Sequence, residues 1–248
     1  KTDFKLYKLH IKILMNKIIP ESFYKSGFKK FKFENLRNIN KIKNFIYNES
    51  LLLKKNKFQD KSKYFELFHK IVNDDKEMNE FRLKLYERIN DHTKINISKL
   101  IFDSFKSHLT TIFGPDIAVQ KNVSISINRP EDKFILGMHR DAPPHSTFSL
   151  TIVIPITNFY KTKNLCILDI KQTFDALKII NQSKKFQEFV YKKGRVNSKK
   201  LKLSFGEALF FWGGLFHFPP INYEKETRWS INLRFKNLFS PYEGAKEL

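Results

Sequence analysis

The chain reads as an α+β protein with a mainly β core, a cupin-like jelly roll whose N-terminal helices pack on one sheet. Three observations predict this. Residues 35–113 place apolar side chains at helical spacing and stop abruptly at Gly114-Pro115. Beyond Pro115 the apolar period changes to two. A series of about eight short strands then follows without the crossover helices that a parallel sheet requires.

Taken in order, residues 1–24 are lysine-rich and weakly patterned, which predicts a peripheral helix or arm. GFKKFKF (27–33) alternates apolar and basic residues and reads as a half-buried strand. In the helical part Leu85 and Ile89 sit four apart; Ile101, Phe105 and Leu109 repeat the interval, and Ile112 follows three later. Glycine caps the last helix and proline cannot continue it. NVSISIN (122–128) then sets Val123, Ile125 and Ile127 on one face and Ser124, Ser126 and Asn128 on the other. FILGMHRD, SLTIVIPIT and NLCILDI continue as strands. Residues 171–199 interrupt them with a basic helical insertion, a candidate lid. KLKLSF, ALFFW and RWSINLRF complete the series. There is no internal repeat and no low-complexity linker. One domain over 1–248 is expected, with a mostly helical part to 115 and a jelly-roll core over 116–240.

Composition narrows the function. With 41% hydrophobic and 15% aromatic residues the chain is globular in character. No apolar run approaches the roughly 20 residues that cross a bilayer, and KTDFKLYKLH lacks the apolar core of a signal peptide. A lone cysteine, Cys166, cannot form an internal disulfide, which places the protein in a reducing, cytoplasmic setting. The net charge of +21 comes from lysines spread along the chain, 38 against 8 arginines, with no arginine-rich helix or nucleic-acid signature. That pattern fits a coding bias better than a nucleic-acid partner, and it leaves attraction of an anionic small molecule in play.

The chemistry lies in three separated elements. His139 and Asp141 are two apart on an expected strand, so both side chains leave the same face. Alone, a His-x-Asp is a weak signal. The HRD tripeptide is not a kinase catalytic loop, because it continues APPHS and no glycine-rich loop or DFG accompanies it. His217 ends the apolar run of EALFFWGGLFHF. In RWSINLRF, Arg228, Ser230, Asn232 and Arg234 share one face and Trp229, Ile231, Leu233 and Phe235 the other. An arginine at a barrel interior forms a two-pronged bond to a carboxylate, and serine adds a donor. Two imidazoles and a carboxylate on one face of a metal leave its remaining positions open, which suits iron oxygenases.

With these elements in this order, the chain resembles the Fe(II)/2-oxoglutarate-dependent oxygenases with a double-stranded β-helix core. GFKKFKF, LFHKIVND, NEFRLKLYERIN and HFPPINYEKETRWSINLRF resemble the phytanoyl-CoA-dioxygenase-like branch, in particular proteins of carbohydrate-cluster and streptomycin-biosynthesis contexts. The likeness runs from about residue 25 to 240. It implies iron on His139, Asp141 and His217, and the far carboxylate of 2-oxoglutarate on Arg228 and Ser230. Phe218 stands where that branch often has glycine, so the pocket wall near the metal departs from the family pattern. Halogenating relatives carry a small residue at the position of Asp141; a carboxylate there implies hydroxylation or desaturation with dioxygen as co-substrate. Ser124, Ser126, Asn128, His145 and Arg234 are candidates to line a pocket for a small polar metabolite, sugar-derived or anionic. Two alternatives remain. One is a zinc hydrolase using His139, Asp141 and His145; the other is a jelly-roll binding module without catalysis.

Overall fold

The structure is a computed structural model that describes residues 19–54, 61–132, 136–142, 145–146, 148–182 and 197–241. Most of the expected N-terminal arm, and the centre of the 171–199 insertion, lie outside these residues. Among the described residues no helix is long and apolar enough to cross a membrane.

A short helix α1 (Glu21–Ser26) leads into strand β1 (Phe28–Lys32). Helices α2 (Leu36–Leu53), α3 (Asp75–Asn90), α4 (Ile97–Ser104) and α5 (Lys106–Phe113) follow. Three of these start where a short polar side chain satisfies a free backbone N–H. Asn35, Asp74 and Asn96 accept from the amides of Arg37, Glu77 and Lys99. The stripe of Ile101, Phe105 and Leu109 is buried as its spacing predicts. The helix itself is not continuous, because Phe105 leaves helical geometry and separates α4 from α5.

The β region comprises β2 (Ile117–Val119), β3 (Ser124–Asn128), β4 (Leu150–Pro155), β5 (Leu165–Ile167), β6 (Lys199–Leu201), β7 (Glu207–Trp212), β8 (His217–Phe218) and β9 (Arg228–Asn237). All pairings are antiparallel. The larger sheet runs β1-β7-β4-β9, and the far edge of β9 is shared by β2 and β3. The smaller sheet runs β6-β5-β8, and His139 extends it by a bridge to His217. From β3 onward, successive extended segments alternate between the two sheets, except that β5 and β6 are consecutive partners in the smaller one.

Packing orders the layers. Ile152, Ile154, Phe210, Ile231, Leu233 and Phe235 turn toward the helices, joining Ile39, Ile42, Phe81 and Leu85 in the main core. Trp229 sits edge-on to Phe65 and Phe68, with ring centroids 5.1 and 4.9 Å apart; each such pair is worth about 0.5–1.5 kcal/mol beyond its buried area. On the other face, Val153, Leu209 and Phe211 meet Phe159, Leu165, Ile167 and Leu203 between the sheets. The helix α6 (Ile170–Gln182) covers the outer side of the smaller sheet through Ala176, against Phe216 and Phe218. The described part of the insertion is thus a packed layer.

Two expectations are corrected here. FILGMHRD is not a regular strand: among its described residues only His139 pairs, and Asp141 lies in a bend. His217 does not end the apolar strand either. The strand β7 stops at Trp212, the chain turns at Gly213-Gly214, and His217 belongs to the opposite sheet. Glycine serves this crossover because space is short. A Cβ at Gly213 would stand 2.7 Å from Ser149 Oγ and 3.3 Å from the Ser149 carbonyl oxygen.

The Gly213 carbonyl also accepts from the amides of Asp141 and Ala142, at 2.9 and 3.2 Å. Gly213→Ala is therefore expected to destabilise the protein by about 1–3 kcal/mol through overpacking. That lowers the thermal midpoint by roughly 2–4 °C per kcal/mol. A scanning-calorimetry midpoint equal to wild type would show that the turn has room to spare.

Candidate metal centre

His139 and His217 face each other as an antiparallel bridge. His139 N donates to the His217 carbonyl at 3.0 Å, and His217 N donates to the His139 carbonyl at 2.9 Å. Side chains of such a pair lie side by side on one face, and the imidazole centroids are 4.3 Å apart. Each ring is oriented by its own backbone. His139 Nδ1 donates to the Gly137 carbonyl at 2.8 Å and His217 Nδ1 to the Leu215 carbonyl at 3.0 Å. Donation from Nδ1 leaves Nε2 with a free lone pair, the form a metal requires.

Both Nε2 atoms turn toward Asp141. Its Oδ1 lies 3.9 Å from His139 Nε2 and 3.8 Å from His217 Nε2. One ligand atom from each of the three residues lies within 4.8 Å of the others, a group able to hold a metal ion. His145 is not a member of that group, although it borders the same cavity.

Burial and charge keep the donors in ligating form. Desolvation pushes the His217 imidazole down to about 4, against the pull of Asp141, so it is neutral at physiological pH. Burial alone would raise the Asp141 carboxyl. His217, Arg234 and the hydroxyl of Thr151 overcome that and hold it well below the ordinary carboxylate range. Arg234 grips the carboxylate by two prongs, Nη2 to Oδ1 at 2.9 Å and Nε to Oδ2 at 3.2 Å. Thr151 Oγ1 donates to Oδ2 at 2.5 Å.

The centre opens into a cavity of about 550 Å³ between the sheets, within the usual range for small-molecule sites. Ser124, Ser126, His145, Arg228, Ser230, Asn232 and Arg234 line it, with Val153, Phe159, Leu165 and Phe211 as apolar wall. Arginines dominate its charge: Arg140, Arg228 and Arg234 all border it, and Asp141 is its one carboxylate among the described residues. The polar face of β9 therefore looks into the cavity.

Arg228 stands out there. Its side chain is buried, and burial pushes the guanidinium down to about 10, still charged at neutral pH. It donates to the Asn164 carbonyl at 3.0 Å and to Asn128 Oδ1 at 2.9 Å, while Phe159 lies 4.9 Å beneath it. Its Nε has no partner, and among the described residues no carboxylate comes within ion-pair distance. Ser230 is buried two residues along the same strand.

Every expected site residue but Asn128 borders this one cavity, and Asn128 lies behind Arg228. Asn128 is engaged by Arg228 and by Ser126 Oγ at 3.2 Å, and Arg234 is committed to Asp141. Thr151 was not foreseen from the sequence. Its signal was there: the one polar residue within the apolar run LTIVIPI, at an inward position.

No family model and no curated protein matches the chain. Solved structures do. The non-haem α-ketoglutarate-dependent carbocyclase SnoK from nogalamycin biosynthesis superposes with a TM-score of 0.58 at 11% identity, covering 90% of this chain and 85% of that one. AviO1 from Streptomyces viridochromogenes Tue57 gives 0.56 at 12%, covering 88% and 93%. The epimerase SnoN in complex with Fe3+, α-ketoglutarate and nogalamycin RO gives 0.52 at 11%, covering 94% and 87%. At such identities the likeness is one of fold alone, shared with SnoK, AviO1 and SnoN.

Two outcomes follow from this geometry. Co(II) titration followed by visible absorption should show uptake by wild type and by His145→Ala but not by His217→Ala. The opposite order would move the metal to the His139, Asp141 and His145 arrangement. In metal-free protein, His217 binds a proton near pH 6.5 when unfolded and only near 4 when folded. The unfolded state binds more protons in that window, so stability should fall by about 3 kcal/mol as pH drops through it. His217→Gln should flatten the profile between those limits; an equally steep one would assign the loss to another group.

Proposed function

We propose that the protein is an Fe(II)- and 2-oxoglutarate-dependent oxygenase that hydroxylates a small polar metabolite, sugar-derived or anionic. The observation that carries this reading is Arg228. A buried guanidinium without a counter-charge is costly, and natural proteins pair such groups. Here the partner is missing among the described residues, and the cation borders the same cavity as a His/Asp/His group. A dicarboxylate cosubstrate bound between metal and arginine satisfies both at once.

In this reading His139, Asp141 and His217 hold the iron, and Arg228 with Ser230 holds the far carboxylate of 2-oxoglutarate. Bound ferrous iron and 2-oxoglutarate together supply dioxygen activation coupled to decarboxylation of the cosubstrate to succinate. The chain supplies orientation and a dry environment. Asn128, the Asn164 carbonyl and the Phe159 ring fix the Arg228 fork, so little rotamer freedom is lost on binding. Val153, Leu165 and Phe211 exclude water and strengthen every charge interaction inside. Ser124, Ser126 and His145 border the space left for a substrate, and the surplus of arginines favours one that carries negative charge. Asp141 occupies the ligand position that a halide would need, which supports oxygen insertion. The two facing antiparallel sheets, with most successive strands alternating between them, support a double-stranded β-helix with the site between its sheets.

The test separates cosubstrate from metal. With anaerobic Fe(II), 2-oxoglutarate at a hundredfold its Kd should stabilise wild type by about 2.7 kcal/mol, a rise of roughly 5–10 °C in thermal midpoint. Arg228→Met should lose this rise and all succinate formation while keeping its Fe(II). An Arg228→Met protein that still responds to 2-oxoglutarate would remove the arginine from the cosubstrate site.

A further inference from the structure

A carboxylate can give a metal one oxygen or two, and the choice decides how many coordination positions stay open. A six-coordinate ion held by two imidazoles and one carboxylate oxygen keeps three positions. That is enough for a chelating 2-oxo acid and dioxygen; a second carboxylate oxygen removes one of them. The question rests on the metal site proposed above.

The surroundings of Asp141 treat its two oxygens differently. Oδ1 is the atom nearest both histidine Nε2 atoms, at 3.9 and 3.8 Å. Oδ2 accepts two hydrogen bonds, from Thr151 Oγ1 at 2.5 Å and Arg234 Nε at 3.2 Å, whereas Oδ1 accepts one, from Arg234 Nη2 at 2.9 Å, and keeps lone-pair capacity on the side of the histidines. The clamp is itself anchored. Arg234 Nη1 donates to Gln120 Oε1 at 3.2 Å, and the Gln120 amide donates to the Arg234 carbonyl at 2.9 Å. Thr151 and Arg234 are register partners on β4 and β9, so the larger sheet sets their spacing, while Asp141 hangs from the Gly213 crossover.

We infer that Thr151 and Arg234 are positioning residues that hold Asp141 as a one-oxygen ligand: the arginine fork fixes the carboxylate plane through both oxygens, and the added Thr151 bond saturates Oδ2 and leaves Oδ1 to face the metal. The role belongs to the fork geometry of arginine. Its charge acts the other way, since a guanidinium beside the centre repels a dication. Lysine keeps that charge and loses the fork, so Arg234→Lys distinguishes the two effects.

Mn(II) is the probe, read by its affinity and by water-proton relaxation, which counts metal-bound waters. Arg234→Lys should bind Mn(II) about 10–100-fold more weakly, the usual cost of losing a group that orients a ligand. Arg234→Lys combined with Thr151→Val should hold about one water fewer than wild type, because the freed Oδ2 takes a position. Thr151→Val alone should move both readouts in the same direction and guards against a double variant that does not fold. Unchanged or tighter binding in Arg234→Lys overturns the inference, as does weaker binding with an unchanged water count. A wild type that takes up no Mn(II), or a His217→Ala protein that binds it equally well, overturns the metal site itself. Wild-type uptake that is lost in His217→Ala isolates any failure to this inference alone.

Discussion

The strand β9 must satisfy two incompatible environments at once, and the rest of the molecule is arranged around that constraint. Its odd-numbered residues, Trp229, Ile231, Leu233 and Phe235, are fully buried in the helix-covered core, while Arg228, Ser230, Asn232 and Arg234 line the cavity. A slip of one residue would exchange the two sets, placing two arginines in an apolar core and an indole beside the metal ligands. Both neighbours enforce the register. The strand β4 pairs along Leu150–Pro155, and β3 pairs Ser124–Asn128 with Asn232–Arg228. The helical layer is therefore more than a support for the sheet. By burying one face of β9 it determines which face the cavity receives.

The two inward arginines, six residues apart on one face, differ in what meets them. Arg234 has a carboxylate, two prongs, and Gln120 behind it. Arg228 has only neutral acceptors and an aromatic ring. A buried pair can roughly break even against an apolar substitute, but a lone buried charge cannot. The cost of Arg228 is carried by the folded state, a strain of the kind found where a site is organised ahead of a ligand. Asn128 and the Asn164 carbonyl offset part of that cost by giving the guanidinium hydrogen bonds without neutralising it.

How far the sequence could be read follows from the kind of signal each feature leaves. Period-two alternation was legible in β3 and β9 because a sheet with two dissimilar faces writes its environment into every second residue. The helical stripe of Ile101, Phe105 and Leu109 was legible too, but the break at Phe105 was not, since no glycine or proline marks it. His139 and Asp141 were read as neighbours on a strand. Their real placement depends on contacts distant in sequence, a bridge to His217 and amide bonds to Gly213. The sheet change between Trp212 and His217 was hidden inside a run that is apolar throughout, so hydrophobicity could not show it. Only the Gly213-Gly214 pair hinted at it, and glycine marks a tight approach without saying to what.

That crossover also explains why two histidines almost eighty residues apart arrive together. The candidate metal-binding group is assembled where the chain passes from one sheet to the other. The Gly213 amide donates to the Ser149 carbonyl, just before β4, and its carbonyl accepts from the amides of Asp141 and Ala142. Four residues later His217 closes its bridge with His139. One imidazole, the carboxylate and the entry to β4 are therefore tied to a single turn, and the second imidazole is tied to the first. Moving either histidine would break the bridge between them, and moving Asp141 would break its amide bond to the Gly213 turn. The site gains its rigidity from the seam between the sheets, where a regular strand could not have brought these three side chains to one point.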